Sequence, residues 1–254
     1  MTYVKICGLR DPETAVEAVK AGADFIGLMF AESRRKVTPR ECFDICEAVR
    51  AARRTPAPVA FEGPERGEVR GLSWFGAWSE AIEDALTRWR PLIVGVFADQ
   101  SVSEVNDIAD AAGLDLVQLS GGEPVEFVRQ IHRPVLRAVH IAPATRGDDV
   151  FDLLNGMPAA VVMLDTAKGA ARGGTGATFD WDIAAEVARR LPIMLAGGLT
   201  PENVAAAVAG VRPWAVDVST GVETAGTKDI EKIRAFIASA KGRRLAAVPR
   251  TKEN

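Results

Sequence analysis

The sequence predicts an α/β protein, a (β/α)8 or TIM barrel built as one domain with a segment inserted between its second helix and third strand. Three observations predict it. Eight short runs rich in Val, Ile or Leu alternate with stretches whose apolar residues recur every three or four positions. Helix punctuation falls between those runs, and 254 residues suit a single barrel. An open doubly wound sheet is the alternative that the same alternation permits.

The strands are expected at residues 3–6, 24–30, 92–97, 114–119, 134–139, 159–165, 192–197 and 215–219. Helical spacing marks ETAVEAVKAG, SEVNDIADAAG, ENVAAAVAG and IEKIRAFIASAK between or after them. Asp11-Pro12, Thr38-Pro39 and Thr200-Pro201 each set a capping residue before a proline suited to the first helical turn. Gly22 and Gly113 stand where a left-handed residue would end a helix. The barrel is expected over 1–241 and a flexible tail over 242–254. Residues 55–90 break the rhythm. Their second half places Phe75, Trp78, Ile82, Leu86 and Trp89 at helical spacing, so a helix is expected over 74–89. A helix-to-strand insert belongs to the N-terminal face, where it would cover the barrel bottom or offer a partner surface.

Composition excludes several classes. Lys plus Arg is 31 and Asp plus Glu is 34, a net charge of −3, so nucleic acid and anionic membranes are not expected partners. No apolar run reaches the roughly 18 residues of a membrane span. MTYVKICGLR is interrupted by Lys5 and does not read as a signal peptide. Cys7, Cys42 and Cys46 make an odd number, which argues for a reducing, cytoplasmic setting. His132 and His140 are the only histidines and lack ligand spacing, so no metal is expected.

In a barrel, chemistry sits at the C-terminal ends of strands. Alternation puts Lys5 and Cys7 inside, with Cys7 at the rim, and the lysine could favour a thiolate. Cys42 and Cys46, one helical turn apart, read as core. Asp165 ends the sixth strand, where a protonated carboxyl could serve as a general acid. Gly197-Gly198 and Ser219-Thr220-Gly221 follow strands seven and eight, the usual phosphate site. Gly173-Gly174 in ARGGTGATFDW mark a candidate lid loop. Ser33-Arg34-Arg35-Lys36 follows the second strand and could hold a carboxylate or phosphate.

Together these stretches resemble the phosphoribosylanthranilate isomerase family of tryptophan biosynthesis. The likeness runs through VKICGLRDPETA, AGADFIGLMF, SRRKVTP, VGVFAD, LVQLSG, MLDTA, RGGTGATFDW, AGGLTPENV, AVDVSTGVE and GTKD in one order. It implies an Amadori rearrangement of N-(5-phosphoribosyl)anthranilate to 1-(2-carboxyphenylamino)-1-deoxyribulose 5-phosphate. No redox step occurs, so no cofactor is implied. The family pattern makes Cys7 the general base and Asp165 the general acid. It sets Arg35 on the anthranilate carboxylate, and Gly197, Gly198, Ser219, Thr220 and Gly221 around the phosphate. Asp217 would lie near the sugar or pair with Lys5. Ser120 departs from the family's His and implies a changed substrate contact. The partner expected is a small phosphorylated substrate, with self-association or fusion to another tryptophan-pathway enzyme left open. The rival from another class is a non-catalytic phosphate-binding barrel that uses the Trp-rich insert to hold a partner; burial of both Cys7 and Asp165 away from any pocket would favour it.

Overall fold

Eight parallel strands pair in sequence order and close on themselves: β1 (Tyr3–Cys7), β2 (Phe25–Met29), β3 (Leu92–Phe97), β4 (Leu116–Leu119), β5 (Val135–Ile141), β6 (Val161–Thr166), β7 (Ile193–Leu195) and β8 (Ala215–Val218). The computed structural model describes residues 1–53, 63–64, 71–142, 145–154, 156–166 and 181–242. Among these the helices are α1 (Pro12–Ala21), α2 (Pro39–Ala52), α3 (Ser73–Trp89), α4 (Val102–Ala112), α5 (Val125–Val128), α6 (Gly147–Leu154), α7 (Trp181–Ala188), α8 (Val204–Val211) and α9 (Ile230–Ala240). After β8 come a 3-10 turn (Thr220–Val222) and a small antiparallel hairpin, β9 (Glu223–Thr224) and β10 (Thr227–Lys228).

Strand alternation divides the apolar residues between two cores. Val4, Ile6, Ile26, Leu28, Val117 and Leu119 point outward and pack with Ala15, Ile45, Val105 and Ile233 of the helical layer. Phe25, Leu92, Leu116, Leu136, Met163 and Met194 fill the barrel interior. Cys42 and Cys46 are buried in the outer core, their sulfurs 3.8 Å apart.

Helix punctuation works mostly as the sequence reads. The Asp11 carboxylate accepts from the Thr14 N–H at 2.7 Å, and Thr38 forms a reciprocal capping box with Glu41. Gly22 and Gly113 take left-handed φ values of 97° and 61°. Thr200-Pro201 differs, because the regular helix begins only at Val204. The Asn203 side chain accepts from the Thr200 N–H at 2.8 Å and donates to the Gly198 carbonyl at 2.9 Å. That clasp shapes a turn around the glycines before the helix starts.

The insert's helix is α3. Ile82, Ala85 and Leu86 join the barrel-interior cluster beside Leu92, Leu116 and Ala215, which begin or nearly begin their strands. The Trp74 indole donates to the Ala159 carbonyl just before β6, and Trp214 just before β8 donates to Glu83, both at 2.8 Å. The helix therefore lies beneath the N-terminal mouth. Residues 54–62, 65–70 and 243–254, which hold the rest of the insert and nearly all of the expected tail, lie outside the described residues.

Candidate active site

At the opposite mouth, β1 carries Lys5 and Cys7 on its inner face. Lys5 is fully buried, and its ammonium lies 2.8 Å from the Asp217 carboxylate, directly across the β1–β8 register. The same ammonium acts electrostatically on Cys7, two residues further along the inner face of β1. Burial opposes the charge on Lys5, but Asp217 and Cys7 outweigh it and hold the lysine above its usual range. Cys7 is 4% exposed. Burial pushes its thiol up; Lys5 and Lys228 pull it down, and Asp217 adds to the rise.

The chain turns sharply after Cys7. Gly8 has φ 77°, and a Cβ there would lie 2.6 Å from Arg35 Cδ and 3.2 Å from Ser219 Oγ. Only glycine lets the Arg35 stem and the β8 loop close over the end of β1.

Asp165 on β6 and Asp217 on β8 line one cavity of about 230 Å³. Its other walls are Ala196 to Leu199 after β7, Val218 at the end of β8, and Ser219 and Thr220 after it. Gly197 and Gly198 are both left-handed, with φ 89° and 64°. A Cβ on Gly221 would lie 1.9 Å from the Leu199 carbonyl oxygen, so the two loops meet backbone to backbone. The expected phosphate residues are thus assembled, Gly221 behind the wall rather than in it. Asp165 lines a pocket, which removes the condition that favoured the non-catalytic barrel.

Arg35 and Cys7 do not line that cavity. The Arg35 Nε and Nη2 donate to the two Glu223 carboxylate oxygens at 2.6 and 3.0 Å. Arg34 also pairs with Glu223, and Lys228 reaches it at 3.1 Å. Lys228 further donates to the Ser219 carbonyl at 2.7 Å. Burial works against the Glu223 charge, yet Arg35 and Lys228 hold its carboxyl down at about 2. Sequence reasoning missed Glu223 and Lys228. Both lie in the quoted GVE and GTKD stretches, where the spacing of opposite charges was the available signal.

Across the barrel, Gln118 is buried and its amide donates to the Ser120 hydroxyl at 2.9 Å. His140 Nε2 lies 3.0 Å from the Ser120 carbonyl. The serine in place of the family's histidine is thus tied to Gln118. Among the described residues, no group of His, Cys, Asp and Glu is arranged to hold a metal. Gly173 and Gly174, the expected lid, lie outside the described residues.

A family model described as N-(5'phosphoribosyl)anthranilate (PRA) isomerase matches residues 76–239. An N-(5'-phosphoribosyl)anthranilate isomerase of Roseiflexus castenholzii is 41% identical over 242 residues, covering 94% of this chain and 97% of that protein. A multifunctional tryptophan biosynthesis protein of Phycomyces blakesleeanus is 40% identical over 94% of this chain, which spans only 32% of its length. A solved phosphoribosyl anthranilate isomerase in complex with reduced 1-(o-carboxyphenylamino)-1-deoxyribulose 5-phosphate has a TM-score of 0.69 at 32% identity, covering 95% of this chain and all of that one.

Proposed function

The chain belongs to the N-(5'-phosphoribosyl)anthranilate isomerase family and is an isomerase of tryptophan biosynthesis; from that premise we propose how its own residues perform the rearrangement. The observation that carries the proposal is the cavity shared by Asp165, Asp217 and the two glycine turns, with Lys5, paired to Asp217, on the same inner face of β1 as Cys7.

The phosphate of N-(5-phosphoribosyl)anthranilate seats on the backbone of Gly197, Gly198, Ser219 and Thr220, with Gly221 letting the loops close. Arg35 receives the aryl carboxylate. Asp165 donates a proton to the ring oxygen. The C1–O bond breaks as the nitrogen lone pair forms C1=N, giving a protonated Schiff base. The Cys7 thiolate removes the proton from C2, and the released electron pair forms C1=C2 while the C1=N electrons return to nitrogen. The enolamine gains a proton at C1 and loses the 2-hydroxyl proton to become the ketone. Electrons balance without oxidant or reductant, so the chemistry calls for no cofactor. The Lys5 charge favours the thiolate. Asp217 orients Lys5.

A cytoplasmic setting fits Cys7, Cys42 and Cys46, all free thiols. Among the described residues no helix is long and apolar enough to cross a membrane.

The direct test is turnover of freshly generated N-(5-phosphoribosyl)anthranilate, followed by fluorescence. Cys7→Ser and Asp165→Asn should each lose at least about 10²-fold in kcat with little change in KM. Arg35→Ala should mainly raise KM. Near-normal kcat in either of the first two variants removes that residue from its role.

A further inference from the structure

A carboxylate is an unexpected group beside a site for a substrate with two anionic ends. Glu223 nevertheless stands there, its side chain only 6% exposed, gripped by Arg34, Arg35 and Lys228. We propose that Glu223 is the positioning residue of this mouth: it fixes the Arg35 guanidinium so that its remaining edge meets the aryl carboxylate. The proposal rests on the isomerase reading above and adds a residue to it.

The geometry carries the argument. An arginine side chain is long and rotamer-rich, and a free one must be ordered each time substrate binds. Here the Nε–Nη2 edge is already engaged bidentately, at 2.6 and 3.0 Å. The stem is trapped over Gly8, where a Cβ would meet Arg35 Cδ at 2.6 Å. Among the described residues Nη1 has no hydrogen-bond partner, so that side of the fork remains for an anion. One carboxylate set against Arg34, Arg35 and Lys228 leaves the cluster net cationic. Glu223 therefore gathers like charges that would otherwise repel, without cancelling their attraction for substrate.

Glu223 also begins β9 directly after the 3-10 turn, and Lys228 bridges it to the Ser219 carbonyl at 3.1 and 2.7 Å. That second link ties the arginine to the phosphate turn, so the spacing between the two anion sites is set by one carboxylate. Its proton is lost well below neutral pH, at about 2, so the clamp is closed throughout the working range.

Anthranilate and inorganic phosphate probe the two ends separately. Glu223→Gln keeps the shape and removes the charge. It should weaken competitive inhibition by anthranilate and raise substrate KM by about tenfold, with kcat and phosphate inhibition changed less than about twofold. In an Arg35→Ala background the same change should alter KM less than about twofold, because the two residues act as a unit. Additive effects, equal loss of both inhibitors, or unchanged anthranilate inhibition overturn the proposal. If Glu223→Gln does not fold, Arg35→Lys replaces it. That variant keeps the charge but loses the fork, and should show the same anthranilate loss, while an unchanged constant overturns the clamp. Substrate turnover by the wild type is read independently. Its absence would sink the isomerase reading, whereas the anthranilate comparison would still decide the clamp.

Discussion

Cys7 can act as a base only as a thiolate, and its surroundings pull in both directions. Burial disfavours the charged sulfur, Lys5 and Lys228 favour it, and Asp217 disfavours it. The net direction is upward from the ordinary 9.0, so peptide-resolved labelling by iodoacetamide should accelerate with pH along a curve centred above that value. Lys5→Met removes the nearest cation and should move the curve higher. Asp217→Asn removes an opposing anion and should move it lower. Shifts in the same direction for both variants would sink the electrostatic account, because loosening of the barrel alone cannot produce opposite signs. Cys7 was legible in the sequence because strand alternation put it beside Lys5 at a strand end. Glu223 was harder to read: Lys228 lies five residues on, but Arg34 and Arg35 come across from the β2 loop only in the fold.

The elements that shape the anion sites are among the shortest. The apolar strands and capped helices could be read from the sequence, since each carries its signal, periodicity or a cap, within its own stretch. The β9–β10 hairpin, two residues on each strand, could not, because its order comes from Lys228 and Lys232 reaching Ser219 and Glu223. Thr200-Pro201 misled for the same reason, since the Asn203 clasp on Thr200 and Gly198 overrides the usual proline start. The junction of the β7 and β8 loops is the point where such an element can be tested. At Gly221 a methyl group would meet the Leu199 carbonyl at 1.9 Å, with backbone on both sides, so one loop must give way. Gly221→Ala should weaken inhibition by inorganic phosphate at least about tenfold and cost roughly 1–3 kcal/mol of stability. Unchanged phosphate inhibition would show that the junction does not shape the anion site.

Over the whole molecule the two mouths of the barrel divide the work. At the catalytic mouth Asp165 and Asp217 line a cavity, whereas the carboxylates at the other mouth close on the backbone. Asp24 and Asp115 each stand two residues after a left-handed glycine and directly before a strand, and each accepts from a neighbouring strand's N–H at 2.7 Å: Val4 for Asp24, Ile93 for Asp115. Lys241 and Arg90 neutralise Asp24, and Arg53 neutralises Asp115 from a fully buried position while donating to the Pro91 carbonyl at 2.8 Å. This repeated Gly-x-Asp pattern was present in the sequence, where both carboxylates fall within the expected strands 24–30 and 114–119 rather than just before them. The division makes opposite predictions for the two ends. Asp115→Asn leaves the Arg53 charge buried without its counter-ion and should cost roughly 3–5 kcal/mol, seen as a lower urea midpoint with an unchanged slope. At a temperature where the variant is fully folded, its kcat and KM should match the wild type within about twofold, because among the described residues Asp115 bonds Arg53 and the Ile93 N–H at the opposite end of the barrel. Cys7→Ser should do the reverse, losing turnover and keeping the midpoint. A folded Asp115→Asn enzyme with a depressed kcat would mean that the floor of the barrel is coupled to its mouth, and the division of labour would fail.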